Sequence, residues 1–150
     1  MENINIKIQK KLVALFRSFD KKGSLFILSK DNCSEVSRIV GYWFLKEKKN
    51  LEVCILKGNN IKFGKKQAHD VLVICDKNKI FLLDPTIWQF FKNKKSIFWG
   101  EFDKMSEALD FLKLKYGGKW KVSEKLKKEG FDEMKKLKKI VGENIKKDAD

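Results

Sequence analysis

The chain has 150 residues, of which 43% are hydrophobic, 36% charged and 12% aromatic, with one proline and nine glycines. That suffices for one domain with a sizeable core and excludes a disordered, collagen-like or proline-rich protein. The net charge is +14, yet only Arg17 and Arg38 among the 34 basic side chains are arginines, so the charge predicts loose attraction to polyanions or nucleic acid rather than bidentate phosphate or base recognition.

Residues 3–19 begin with an alternating Ile4, Ile6, Ile8 and pass into a helical rhythm at Leu12, Leu15, Phe16 and Phe19. A helix is expected over most of this segment, ending in the turn chemistry of Asp20 and Gly23. Its apolar run 12–16 is far too short for a membrane span and for a signal-peptide core. The expectation is a cytoplasmic protein with no membrane span, a reading compatible with delivery as an effector. Residues 24–28 read as a short extended approach to the second helix.

That second helix is the clearest. Val36, Ile39, Val40, Trp43 and Phe44 recur at i, i+3, i+4, i+7 and i+8, one buried stripe. Asp31 and Asn32 precede it as favoured caps, which puts Cys33 in the first turn and towards the buried side. Strands are expected at 51–56, ending at the turn signal Gly58-Asn59-Asn60, at 68–75 and at 79–83, the last two joined by a hairpin at 76–79. A further short strand over 97–99 closes at Gly100. The last third reads as helical. Asp103 caps a helix carrying Met105, Ala108, Leu109 and Leu112 that stops at Gly117-Gly118. Ser123 caps another with Leu126, Met134, Leu137 and Ile140, kinked near Gly130. The whole is one domain, 1–150, with a core over roughly 24–100 and a lysine-rich helical extension over 103–147.

The three cysteines, Cys33, Cys54 and Cys75, include no C-x-x-C pair, which argues for a reducing compartment and against a disulfide framework. With His69 they would make a Cys3His set, but spacings of 21, 15 and 6 residues match no structural zinc pattern. No metal or cofactor is expected. Cys54 and Cys75 sit in apolar strands and read as inert.

His69 is the only histidine. A two-residue turn at Lys77-Asn78 pairs residues whose numbers sum to 155, which sets Val71 opposite Asp84. His69 shares a face with Val71, so Asp84 is its diagonal neighbour, within reach of an imidazole–carboxylate hydrogen bond. A three-residue loop would put the two on opposite faces. Taken singly, each of Cys33, His69 and Asp84 has a structural explanation; taken together they supply a nucleophile at a helix N-terminus, a general base and acid, and an orienting carboxylate. Backbone N–H groups around Cys33, with Asn32 and Gln89 as side-chain candidates, are the expected oxyanion donors.

Asp31-Asn-Cys33-Ser-Glu-Val at a helix start, His69-Asp-Val-Leu-Val on a strand and Leu83-Asp84-Pro-Thr-Ile-Trp-Gln89 on the next resemble the papain-like/transglutaminase-like cysteine enzymes. The likeness is greatest to the compact papain-fold toxin and protein-glutamine deamidase domains of bacteria, and it covers roughly residues 24–91. The chain departs from that pattern at Asp70, where transglutaminase-like relatives commonly carry an aromatic residue, and in lacking a papain-style glutamine closely upstream of Cys33.

The resemblance implies an α+β fold, with a nucleophile helix packed on an antiparallel sheet and helices at either end. It implies a catalytic triad of Cys33, His69 and Asp84, and a protein or peptide substrate. The expected chemistry is acyl transfer from an amide through a thioester, as in a deamidase, a transglutaminase or a cysteine peptidase. The competing class is a non-catalytic basic module that binds nucleic acid or an acidic protein. A thiol-based RNA nuclease on the same scaffold would join the two. Nothing in the residues sets an oligomeric state.

Overall fold

The computed structural model describes residues 1–63 and 66–149. It is an α+β fold around a five-stranded, wholly antiparallel sheet of order β4-β3-β2-β1-β5. Helices α1 (Glu2–Phe19), α2 (Leu25–Ser29) and α3 (Cys33–Glu47) precede strands β1 (Glu52–Phe63), β2 (Lys66–Asp76), β3 (Lys79–Leu83) and β4 (Phe98–Phe102). Helix α4 (Met105–Tyr116), strand β5 (Lys119–Lys125) and helix α5 (Met134–Ala149) complete the chain. Among the described residues no helix is long and apolar enough to cross a membrane.

Side chains alternate across the strands, so the sheet feeds two cores. Val53, Ile55, Leu72, Ile74 and Leu83 face α1, α3 and α5. Cys54, Leu56, Val71, Val73 and Leu82 face α4 through Leu112 and Tyr116. Helix α1 buries Ile8, Leu12 and Phe16, one residue per turn. The Asp20 carboxylate then accepts from the backbone N–H groups of Lys22 and Gly23, which stops the helix. Helix α3 buries the expected stripe and also Ser37, Gly41, Tyr42 and Leu45, because it lies between the sheet and the outer helices.

Several expectations need correction. Residues 24–28 are not extended: Ser24 Oγ accepts from Ile27 N–H and caps α2, a local bond that an apolar pentapeptide does not advertise. Gly58-Asn59-Asn60 is not a turn but the middle of β1. Glycine is needed there for close approach, since a Cβ on Gly58 would lie 2.6 Å from the Trp120 ring. Asn60 (φ 56°) marks the irregularity in the ladder between Asn59 and Phe63. Gly100 likewise lies inside β4. Asp103 does not cap α4; it pairs with Lys79 at 2.7 Å.

The largest correction concerns residues 119–125. Ser123 does not cap a helix: it lies inside edge strand β5, which pairs with β1 from Asn59↔Lys119 to Cys54↔Lys125. Six of the seven residues of β5 are exposed, which leaves no alternating apolar pattern to read. The break near Gly130 is a 3-10 turn, Lys128–Glu133. The expected extension over 103–147 is therefore part of the packed body: it supplies a strand to the sheet, and Leu126, Val141 and Ile145 to the larger core.

Candidate active site

The β2–β3 hairpin has the register that places the site. Leu72 pairs with Leu83 and Asp76 with Lys79, across a two-residue turn in which Lys77 takes φ 57°. β3 stops at Leu83, before Asp84-Pro85, so His69 lies beyond the stretch of β2 that pairs with β3, while it still pairs with Gly58 of β1. The diagonal relation then holds: His69 Nε2 and Asp84 Oδ2 are 2.9 Å apart, with both side chains wholly buried.

Cys33 opens α3, half-buried, and interacts with the imidazole. With Nε2 on Asp84, the buried Nδ1 is the ring atom left for the thiol. What sets α3 against β2 is a clamp one turn past Cys33. Ser37 Oγ donates to the Asp70 carbonyl at 3.3 Å, and Arg38 reaches the Asp70 carboxylate at 3.4 Å and Glu124 of β5 at 2.8 Å. Asp70 follows His69 in an extended strand, so it points to the opposite face and does not compete for the ring.

Asp84 is held at both oxygens. Oδ1 accepts from Thr86 N–H at 3.1 Å and faces Thr86 Oγ1 at 3.5 Å, and Gln89 Nε2 donates to that hydroxyl at 2.8 Å. Oδ2 takes a second donor besides His69, the hydroxyl of Tyr116 at the end of α4. Phe90, Tyr116 and Trp120 surround the imidazole, with ring centroids 4.8, 5.2 and 6.4 Å away. Excluding water in this way strengthens each bond inside and makes any unpaired charge costly.

Burial and charge act on the imidazole in opposite directions. Burial alone would push the His69 pKa down. The Asp84 carboxylate, by charge and hydrogen bond, and Cys33, by hydrogen bond and charge, overcome it and push it up to about 9. Burial and Asp84 raise the Tyr116 phenol far above its ordinary value, so it stays a donor. Burial, and then Glu52, push the Cys54 and Cys75 thiols up as well.

Of the two side-chain oxyanion candidates, Asn32 is turned inward. Its Nδ2 donates to the Leu28 carbonyl at 3.0 Å, and its Oδ1 accepts from Asn144 of α5 at 2.9 Å. It therefore does not cap α3 with its side chain. Gln89 sits on the 3-10 turn Ile87–Gln89 behind Asp84, bonded to Thr86.

Sequence reasoning missed Tyr116, the Ser37–Arg38 clamp and Asn144. Only Tyr116 left a trace, as one of two tyrosines, set at the end of an apolar helical rhythm before Gly117-Gly118. Comparison with protein-family models, with curated proteins and with solved structures finds no match.

Proposed function

We propose that the protein is a thiol-dependent acyl-transfer enzyme that acts on an amide, with Cys33 as nucleophile, His69 as general base and acid, and Asp84 as the orienting carboxylate. The observation that carries this reading is the buried 2.9 Å His69–Asp84 bond, with the thiol of a helix N-terminus acting on the same ring. The raised His69 pKa favours an imidazolium, and the helix N-terminus favours a thiolate beside it.

The chemistry then runs in two halves. The Cys33 thiolate attacks the amide carbonyl, and backbone N–H groups of the first turn of α3 receive the developing oxyanion. Collapse breaks the C–N bond while the imidazolium gives its proton to the leaving nitrogen, leaving a thioester at Cys33. His69, now neutral, takes a proton from water or an amine, which attacks the thioester and expels the thiolate. Attack by water gives deamidation of a glutamine side chain or peptide hydrolysis, and attack by an amine gives transamidation. The order of a helix opened by Cys33, a strand carrying His69 and Asp84 immediately past the next strand supports a papain-like or transglutaminase-like assignment of the fold, and a protein or peptide substrate goes with it.

The test is the rate of alkylation of each cysteine against pH in the native protein, with and without His69→Ala. Cys33 is expected to react fastest, with an apparent pKa below the ~8.5 of an ordinary thiol, and to lose that advantage in His69→Ala. A Cys33 no faster than Cys54 and Cys75 would remove the reading. Release of ammonia from glutamine-containing proteins, abolished in Cys33→Ala, then identifies the reaction.

A second reading, a basic module that binds polyanions, has one observation in its favour. Lys11, Lys46 and Lys138 converge around Trp43, Phe131 and Met134. Burial, and then repulsion from Lys138 and Lys46, lowers the Lys11 pKa. A biological effect that survives Cys33→Ala, with binding that falls steeply with salt, selects this reading.

A further inference from the structure

We propose that Tyr116 is a positioning residue for the His69–Asp84 pair: its hydroxyl, donated to the carboxylate oxygen that also takes His69 Nε2–H, fixes the orientation of Asp84 and through it that of the imidazole. The inference rests on the acyl-transfer reading for its consequence in turnover, but not for the geometry itself.

Packing does not require the hydroxyl. The Tyr116 ring is 1% exposed and packs among Phe63, Phe90, Phe91 and Trp120, all within 6.0 Å between centroids. A phenylalanine would fill the same volume. A buried phenol O–H needs an acceptor, and here it uses the oxygen that decides where the histidine points. Thr86 holds Oδ1, and at Oδ2 the other donor is the imidazole that Asp84 has to orient, so without Tyr116 the two can rock together about the Thr86 anchor. Tyr116 removes this freedom at Oδ2. The two donors also share that oxygen's electron density, so the phenol moderates how strongly Asp84 holds the imidazolium proton. The titratable groups that meet the imidazole are Cys33 from α3, Asp84 after β3 and Tyr116 from α4, whose ring packs on it at 5.2 Å and whose hydroxyl acts through Asp84.

The backbone is built to place this side chain. Helix α4 ends on Tyr116, and the chain turns into β5 through Gly117 (φ 71°) and Gly118 (φ 76°). A Cβ on Gly118 would overlap the Asn59 carbonyl oxygen, so that turn is pressed against β1. Trp120 Nε1 donates to the Gly117 carbonyl at 2.9 Å and locks it. Two glycines and an indole thus fix the last residue of α4 against the sheet face that carries His69.

The experiment uses the full chain and its one histidine, whose imidazole resonances can be assigned without ambiguity. In Tyr116→Phe, Asp84 holds the imidazolium more tightly, and the His69 titration midpoint is expected to rise by about half a pH unit or more. With a fluorinated tyrosine at 116, a stronger donor of the same shape, it is expected to fall. Turnover in Tyr116→Phe is expected to lose roughly 5- to 50-fold in kcat with KM changed less than about twofold, since the group touches no substrate. A midpoint unmoved in the folded Phe variant, or moved in the same direction by both replacements, overturns the proposal. The imidazole titration needs no substrate. A His69 that responds to residue 116 in a protein whose Cys33 shows no enhanced reactivity therefore refutes the enzyme reading and leaves the positioning in place. The converse result does the opposite.

Discussion

Replacing Asp84 by asparagine removes the charge at the centre of the site with little change of volume. The side chains are nearly isosteric, and the amide oxygen can still accept from Thr86 N–H, so the turn after β3 keeps its anchor. What is lost is the negative charge that faces His69 Nε2 at 2.9 Å and, since the amide NH2 then takes the Oδ2 position, the oxygen that accepts from Tyr116. The wild-type imidazole is held at about 9, against an ordinary 6.5, and burial, the largest single influence, works downward. Without the carboxylate both upward influences of Asp84 are gone and only Cys33 opposes burial, so the midpoint is expected to fall towards 6.5. The gap between about 9 and 6.5 is worth up to ~3 kcal/mol, at 1.36 kcal/mol for each pH unit.

Linkage gives the sign. Because the folded-state value is the higher one, the stabilisation is complete below about 6.5 and is lost as pH rises through about 9. Wild-type unfolding free energy from urea titration should therefore fall by up to ~3 kcal/mol between pH 6.5 and 9.5. Asp84→Asn should be close to flat over that window. Carbon-detected titration of the one histidine measures the midpoints directly. A wild-type imidazole titrating near 6.5, or an Asn variant that keeps the wild-type midpoint, refutes the argument.

Three further outcomes test the scaffold. Gly118→Ala combines a left-handed backbone with a Cβ that overlaps the Asn59 carbonyl, and should cost roughly 2–4 kcal/mol in urea unfolding. Arg38→Met leaves the nearly buried Asp70 without its cation. It should cost about 1–3 kcal/mol and slow Cys33 alkylation, because the clamp that sets α3 against β2 is loosened. Phe16→Ala empties a site in the larger core, where the ring packs edge-on to Trp88 at 6.5 Å. It should cost about 3–5 kcal/mol while the His69 midpoint stays in place.

The parts of this fold that were legible in the sequence are those where local chemistry and tertiary packing agree. Helix α3 has a full apolar stripe, and the β2–β3 hairpin has strongly apolar arms around a two-residue turn. Its register, and with it the His69–Asp84 diagonal, follows from arithmetic once the turn is read as two residues long. Strand β5 was not legible, because an edge strand exposed on nearly every residue carries charges where a half-buried strand would alternate. Gly58-Asn59-Asn60 misled for a related reason. Glycine and asparagine signal turns by backbone freedom, but here that freedom serves the Trp120 ring and a bulge within a long strand. The donors to Asp84 split along the same line. Thr86 is two residues away and belongs to a local turn, whereas Tyr116 arrives from 32 residues further along, after a strand and a helix whose placement no periodicity reveals.

That division bears on how the site is held. Cys33, His69 and Asp84 all lie within residues 33–84, and the sequence pattern alone would make that stretch self-sufficient. Besides the local bonds of Thr86 and Ser37, contacts to them or to their neighbours come from the C-terminal third. Tyr116 bonds Asp84, and Glu124 of β5 anchors the arginine that clamps α3. Asn144 of α5 takes up the Asn32 oxygen immediately before Cys33. Leu126 packs where a Cβ on Gly41 of α3 would sit, so the helix that Cys33 opens is itself shaped to receive the segment after β5. Each link is a single polar or packing contact worth on the order of 1 kcal/mol, but each constrains a different member of the site. Loss of docking of the C-terminal third would therefore show first in the orientation of the imidazole and the reactivity of Cys33, before the hydrophobic contacts of the sheet with α1 and α3 give way.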